Sequence, residues 1–171
     1  MDSIAEFRAK PIGIVEEGIS REKTERLHKS RYQVTSRVRV FEQYADGLAG
    51  LCDYSHIILV WAMHEKNKVR LRVIPWGRTD MPEVGIFSTR FPPRPNPIGV
   101  SVVELLTVAS NLLSVKGLDA WTGTPILDIK PYDYYDIVKA PKVPDWSKKY
   151  WDEHYAKKRY MEVGSQQLNV D

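Results

Sequence analysis

Apolar and charged side chains alternate along residues 68–74, Lys-Val-Arg-Leu-Arg-Val-Ile, so an extended chain here carries its charges on one face and its apolar groups on the other. That period of two is the mark of a half-buried antiparallel strand. Short apolar or alternating runs, each read as a strand, lie at 11–17, 34–42, 54–63, 68–75, 84–88, 98–108, 112–119 and 125–130, separated by turn residues. Amphipathic helices do not intervene between these runs and no Gly-x-Gly-x-x-Gly loop is present, which argues against a doubly wound parallel sheet. The pattern predicts a mainly β fold, a small closed β-barrel, with a short helical turn within 42–51. After Pro144, Asp145-Trp146-Ser147 suits the start of an N-capped helix running to residue 161, and 164–171 reads as a frayed tail.

A length of 171 residues, 43% of them hydrophobic, suits one domain with a real core, expected over 1–140 with 141–171 as its helical extension. The first eleven residues are charged and lack the apolar stretch of an export signal, and the longest apolar run, 57–63, is too short to cross a bilayer. A cytoplasmic protein without a membrane partner is expected. Cys52 is the only cysteine, so intrachain disulfides and multi-cysteine zinc sites are excluded. It has no basic neighbour and reads as a small buried side chain. His28, His56, His64 and His154 are too scattered for a metal centre, and none is expected; His56 reads as a core histidine.

The net charge of +3 is mild, but its distribution is not. Arg21, Lys23, Arg26, Lys29, Arg31, Arg37 and Arg39 cluster early in the chain. Lys139, Lys142, Lys148, Lys149, Lys157, Lys158 and Arg159 sit near its end among Trp146, Tyr150, Trp151, Tyr155 and Tyr160. Cations mixed with π-faces suit a nucleic-acid backbone and its bases, with Lys148 and Lys149 as candidate contacts. At any single position the alternative is a solvated face whose aromatics turn into the core.

Between two β-rich segments, residues 86–101 crowd Pro92, Pro93, Pro95 and Pro97 around Arg90, Arg94 and Asn96. Proline fixes φ and restricts the residue before it, so these polar groups stand on a stiff frame. Such a loop is either a polyproline II segment or a binding site. Further on, Asp128 and Lys130 are two apart and share one face of an extended strand, as a structural salt bridge or as part of a site.

The run Thr-Arg-x-Pro-x-Arg-Pro-Asn-Pro-Ile-Gly-x-Ser at 89–101 resembles the signature of the TsaA-like (TrmO) family of tRNA methyltransferases. Gly117-Leu118-Asp119 and Gly-Thr-Pro-Ile-Leu-Asp-Ile-Lys-Pro-Tyr at 123–132 resemble that family in the expected order, and 47–64 matches more weakly. The likeness covers 11–136. It implies a small β-barrel that binds S-adenosylmethionine and acts as a homodimer with sites near the subunit interface. The reaction it implies is methyl transfer to N6 of N6-threonylcarbamoyladenosine at position 37 of tRNA.

The same resemblance implies residue roles. His64, Arg90, Asn96, the backbone of Ile98, Gly99 and Val100, and Gly117, Leu118 and Asp119 belong to the cofactor pocket. Arg90 suits the methionyl carboxylate as a two-pronged donor, or else an RNA phosphate; Asn96 suits an adenine edge or a substrate amide; and Asp119 with Gly117 and Leu118 suits the ribose hydroxyls and adenine edge. Gly99 is expected to let a ligand approach the backbone closely. Asp128, Lys130, Tyr132 and Asn96 are the candidate catalytic residues, with Asp128 or Tyr132 as the acceptor of the N6 proton, and Arg94 or Lys130 as partner for the threonyl carboxylate. Residues 18–33 depart from the proline- and arginine-containing segment of bacterial members, and the part after residue 136 is short. Those edges leave room for a different RNA or small-molecule acceptor, or for a noncatalytic RNA-binding barrel.

Overall fold

The computed structural model describes residues 8–20, 34–65 and 68–154. Six strands close a barrel: β1 (Gly13–Glu17), β2 (Thr35–Val40), β3 (His56–Ala62), β6 (Ile98–Ala109), β7 (Leu112–Lys116) and β8 (Pro125–Pro131). Their order around the wall is β1-β2-β7-β6-β3-β8, and every neighbouring pair is antiparallel, β8 returning to β1. Two short strands, β4 (Arg72–Val73) and β5 (Val84–Gly85), form a separate ribbon, and a helix, α1 (Asp145–His154), follows the barrel.

Alternation explains the wall. Val38 and Val40 of β2, Ile57 and Leu59 of β3, Val103 of β6, Leu113 and Val115 of β7 and Ile126 of β8 all point inward and are buried. Each such side chain contributes roughly 1.5–3 kcal/mol on leaving water. Leu118, just beyond β7, joins the same core. No helix among the described residues is long and apolar enough to cross a membrane.

Several expected features differ. The alternating run at 68–75 forms a ladder only at Arg72 and Val73, because most of its apolar face does not turn inward: Val69 and Leu71 are exposed, and only Val73 and Pro75 are buried. The run at 84–88 is a two-residue strand followed by a single turn over Ile86–Ser88. The short helical turn expected within 42–51 is present as a 3-10 turn over Glu42–Leu48, and a second covers Leu51–Asp53. Cys52 and His56 are both exposed, Cys52 within the second of these turns and His56 on the outer side of β3. The basic positions 21–31, the cations and aromatics from 155 onward, His28 and the expected tail lie outside the described residues.

Helix α1 is fastened to the turn between β4 and β5. Trp76 stacks on Tyr150 with ring centroids 3.4 Å apart and planes within 7°, and Trp146 meets it edge-on at 6.0 Å. Arg78 grips Asp80 through Nε and Nη2 at 2.8 and 2.7 Å and donates from Nη1 to Glu153 at 2.6 Å, while Lys149 donates to Asp80 at 2.9 Å. The ribbon in turn touches the proline loop, since the Arg70 amide donates to the Pro93 carbonyl at 3.1 Å and the Ile86 amide to Leu71 at 2.9 Å.

Candidate active site

The register brings the end of β3 and the starts of β6 and β8 together at one end of the barrel. Ala62 at the end of β3 pairs with Ile98 at the start of β6, and Trp61 pairs with Ile126 at the start of β8. Strand β7 runs antiparallel to β6, so past Lys116, which faces Glu104, the chain heads toward that same end. Gly117 makes the exit at φ +94°, a conformation that favours glycine, and its amide donates to Val34 at 3.0 Å. His64, the end of the proline loop and the start of β8 thus meet at one rim, while Lys116 sits level with Glu104, six residues along β6 from Ile98.

The proline loop is braced from within. Thr89 Oγ1 donates to the Ile86 carbonyl at 2.9 Å and accepts the Phe91 amide at 3.2 Å. Arg94 Nη1 donates to the carbonyls of Ile86 and Thr89 at 3.2 and 2.6 Å, and its guanidinium sits 5.7 Å from the centre of the Phe87 ring. The far end is pinned to β3 by the Met63 amide on the Pro97 carbonyl at 2.7 Å. Arg94 is therefore engaged in holding the loop. Arg90 and Asn96 are exposed, and their side chains meet no hydrogen-bonding or charged partner among the described residues.

Asp128 and Lys130 share the outer face of β8. Asp128 pairs across β3 at Val60 and thence with Val100, while Lys130 pairs at Ile58 and thence with Val102. The charged pair and the first turns of β6 thus lie on one face, two interstrand spacings or about 10 Å apart. Lys130 Nζ is 2.7 Å from Asp128 Oδ2, and Asp128 Oδ1 accepts the Ile129 amide at 2.9 Å, which orients the carboxylate. The hydrogen bond and charge of Asp128 raise the pKa of Lys130, so this amine is a cation at neutral pH. A register slip beside Val60 releases Leu127 from the ladder and turns Ile126 inward while Asp128 faces out.

The remaining expected residues fall as follows. Tyr132 continues the ladder, its amide donating to His56 at 3.2 Å and its ring 6.4 Å from the His56 ring. His64 is exposed, with Nε2 3.7 Å from Glu65. Leu118 is fully buried, so it offers a ligand only its backbone, whereas Asp119 is exposed. Gly99 is buried beneath Trp61, and a Cβ there would run into the indole. Its immediate reason is therefore a side chain of the barrel. Lys149 is held by Asp80, and Lys148 is exposed on α1 beside a 480 Å³ open hollow that acidic Asp145, Asp152 and Glu153 also line. Among the described residues no cluster of metal-binding side chains occurs.

Trp61 and Ser101 were not singled out by sequence, yet they support this end of the barrel, with Trp61 Nε1 donating to Ser101 Oγ at 3.1 Å. The signal was the serine two residues beyond Gly99, which only the strand pairing connects to Trp61.

Fold and face together define a small antiparallel β-barrel with a braced polar loop and a charged pair on one open side. Residues 19–137 match the family described as tRNA-methyltransferase O N-terminal domain, and the chain belongs to that family. It is 42% identical over 123 residues to an S-adenosyl-L-methionine-binding protein of Archaeoglobus fulgidus, across 72% of this chain and 87% of that protein. It is 36% identical over 105 residues to the human tRNA (adenine(37)-N6)-methyltransferase, across 60% of this chain and 24% of that one. A crystal structure of TrmO from Pseudomonas aeruginosa superposes with a TM-score of 0.65 at 26% identity, covering 85% of this chain and 63% of that one. The chain thus spans most of its archaeal relative but less than two thirds of the bacterial structure.

Proposed function

We propose that this chain binds S-adenosylmethionine at the rim where β3 ends and β6 begins, and transfers its methyl group to N6 of an adenosine in tRNA. The observation that carries this reading is the contrast within the proline loop, where Arg94 and Thr89 satisfy the backbone while the side chains of Arg90 and Asn96 meet no partner among the described residues. A stiff loop that presents an unpaired guanidinium and amide has the donor set a zwitterionic nucleoside requires. Arg90 would hold the methionyl carboxylate, Asn96 the adenine edge, and Asp119 the ribose hydroxyls, with His64 and the backbone of Ile98, Gly99, Val100, Gly117 and Leu118 as further walls. When bound, S-adenosylmethionine supplies an electrophilic methyl on a sulfonium sulfur.

The acceptor in this reading is N6-threonylcarbamoyladenosine at position 37. Its N6 lone pair is delocalised into a carbonyl, so the nitrogen needs both alignment and loss of its proton. Asp128, oriented by Lys130 and by the Ile129 amide, is the acceptor of that proton, with Tyr132 and Asn96 bordering the base. Lys130 is the cation for the threonyl carboxylate. Arg94 serves that role only through the loop it braces.

A homodimer completes the proposal. Ile98, Val100 and Val102 are 46, 54 and 48% exposed on the same face as Asp128 and Lys130. A second copy laid on this apolar stripe would enclose groups that one protomer leaves open to water, and exclusion of water strengthens their electrostatics. A cytoplasmic location follows from the substrate.

The test is purified protein incubated with methyl-labelled S-adenosylmethionine and tRNA with or without the threonylcarbamoyl group, followed by nucleoside mass spectrometry. Label on N6 of the threonylcarbamoylated nucleoside is expected. Label only in unmodified tRNA or in another RNA assigns the scaffold to a different acceptor, and no label in any RNA contradicts an RNA methyltransferase.

A further inference from the structure

Tyr134 and Tyr135 are 88 and 79% exposed, the two most exposed large side chains among the described apolar and aromatic residues. They stand on a turn that is closed on both sides. Asp133 Oδ1 accepts the Tyr134 amide at 2.6 Å, Asp136 Oδ2 accepts the Asp133 amide at 2.9 Å, and the Asp136 and Ile137 amides donate to Asp133 and Tyr134 carbonyls at 3.0 and 3.2 Å. Such a reciprocal cap fixes the backbone, so the two rings are held out into solvent on a closed turn. The acidic side chains of the turn are engaged with backbone amides.

The turn belongs to the candidate site by continuity. It follows β8 directly, with Tyr134 only four residues beyond Lys130. Lys139 and Lys142 follow on the exposed segment beyond. Exposed π-faces on a segment that also carries cations suit an unstacked nucleobase and its phosphate, because every base offers a ring face whatever its sequence.

We propose that Tyr134 and Tyr135 form a stacking platform for an unpaired nucleobase flanking the acceptor adenosine; this rests on the reading that the acceptor is RNA. The platform selects a loop over a duplex, since a paired base has no free face to offer. It therefore gives the site a preference for single-stranded context that Asp128 and Lys130 alone do not supply.

The experiment compares the parent with Tyr134→Ala/Tyr135→Ala and Tyr134→Phe/Tyr135→Phe. Fluorescence anisotropy is measured with a synthetic anticodon stem-loop and with a blunt RNA duplex, alongside sedimentation velocity and calorimetry with S-adenosylmethionine. The alanine pair is expected to lose roughly ten- to a hundredfold in affinity for the stem-loop. The phenylalanine pair, duplex binding, cofactor affinity and oligomeric state should stay at parental values. Equal stem-loop affinity in the alanine pair, or a change of oligomeric state that accounts for the loss, overturns the platform while leaving RNA as acceptor. A parent that binds neither RNA removes the RNA reading itself.

Discussion

The indole of Trp61 lies over Gly99, its cross-strand partner, so closely that a Cβ on Gly99 would enter the ring. Gly99→Ala is expected to displace the indole or the start of β6 and to cost roughly 1–3 kcal/mol, as overpacked sites do. Ser101→Ala removes only the acceptor of the indole N–H and should cost about 1 kcal/mol. Urea unfolding followed by tryptophan fluorescence measures both. A Gly99→Ala protein as stable as the parent would contradict the contact.

The dock of α1 should be indifferent to pH across the neutral range and loosen in acid. Arg78 pulls the carboxyl groups of Glu153 and Asp80 below their ordinary values of 4.5 and 3.8, with Lys149 adding to the effect on Asp80. A lowered carboxyl pKa contributes stability above the ordinary value and loses it as pH falls through the folded one, so the loss is expected below about pH 4. High salt should weaken the dock at neutral pH, because these groups are exposed to solvent. The near-ultraviolet dichroism of the Trp76–Tyr150 stack reports it. A transition between about pH 5 and pH 8 would contradict the assignment to these carboxylates.

Lys130 should act as a cation throughout the working range. Its pKa is raised above the ordinary 10.5 by Asp128, so its charge persists below that value and is lost only as pH rises through the higher folded one. Lys130→Met is expected to raise KM for a threonylcarbamoylated tRNA far more than for an unmodified one, with no pH dependence of the difference up to about pH 10. Equal effects on both substrates would remove Lys130 from the carboxylate.

Asp128→Asn separates chemistry from stability. The pair it breaks is 62 and 45% exposed at its two side chains, and exposed pairs contribute little to folding. The unfolding midpoint should stay at the parental value while single-turnover methylation falls on the order of a hundredfold or more, the size of a lost general base. An unchanged rate would leave positioning as the catalytic contribution.

The apolar stripe on β6 predicts the state of assembly. Val102→Asp puts a charge beside Ile58 in the row that contains Lys130. In sedimentation velocity the parent is expected as a dimer and the variant as a monomer. A monomeric parent would contradict closure by a second copy.

Much of the barrel was legible because its strands bury one face, and burial of one face writes a period of two into the sequence. The runs at 11–17, 54–63, 98–108 and 125–130 meet β1, β3, β6 and β8 within a few residues, the second as an unbroken apolar run rather than an alternating one. The same rule failed at 68–75. Periodicity records that a strand has an apolar side, not that the barrel core receives it, and here Val69 and Leu71 stay outside. The motif residues were found by their likeness to a family, but their contacts were not legible. Arg94 turns back on its own loop, and Gly99 yields to an indole from another strand; neither contact leaves a local pattern. The Trp76–Tyr150 stack and the Arg78–Glu153 bond join distant segments through the same kind of tertiary meeting.

Calorimetric titration of the parent and of Arg90→Ala with S-adenosylmethionine tests the central claim most directly. Saturable binding by the parent and a loss of tenfold or more in Arg90→Ala are predicted, with both proteins equally folded. No heat with the parent, or equal affinity in the two, would contradict a cofactor site built on the braced loop.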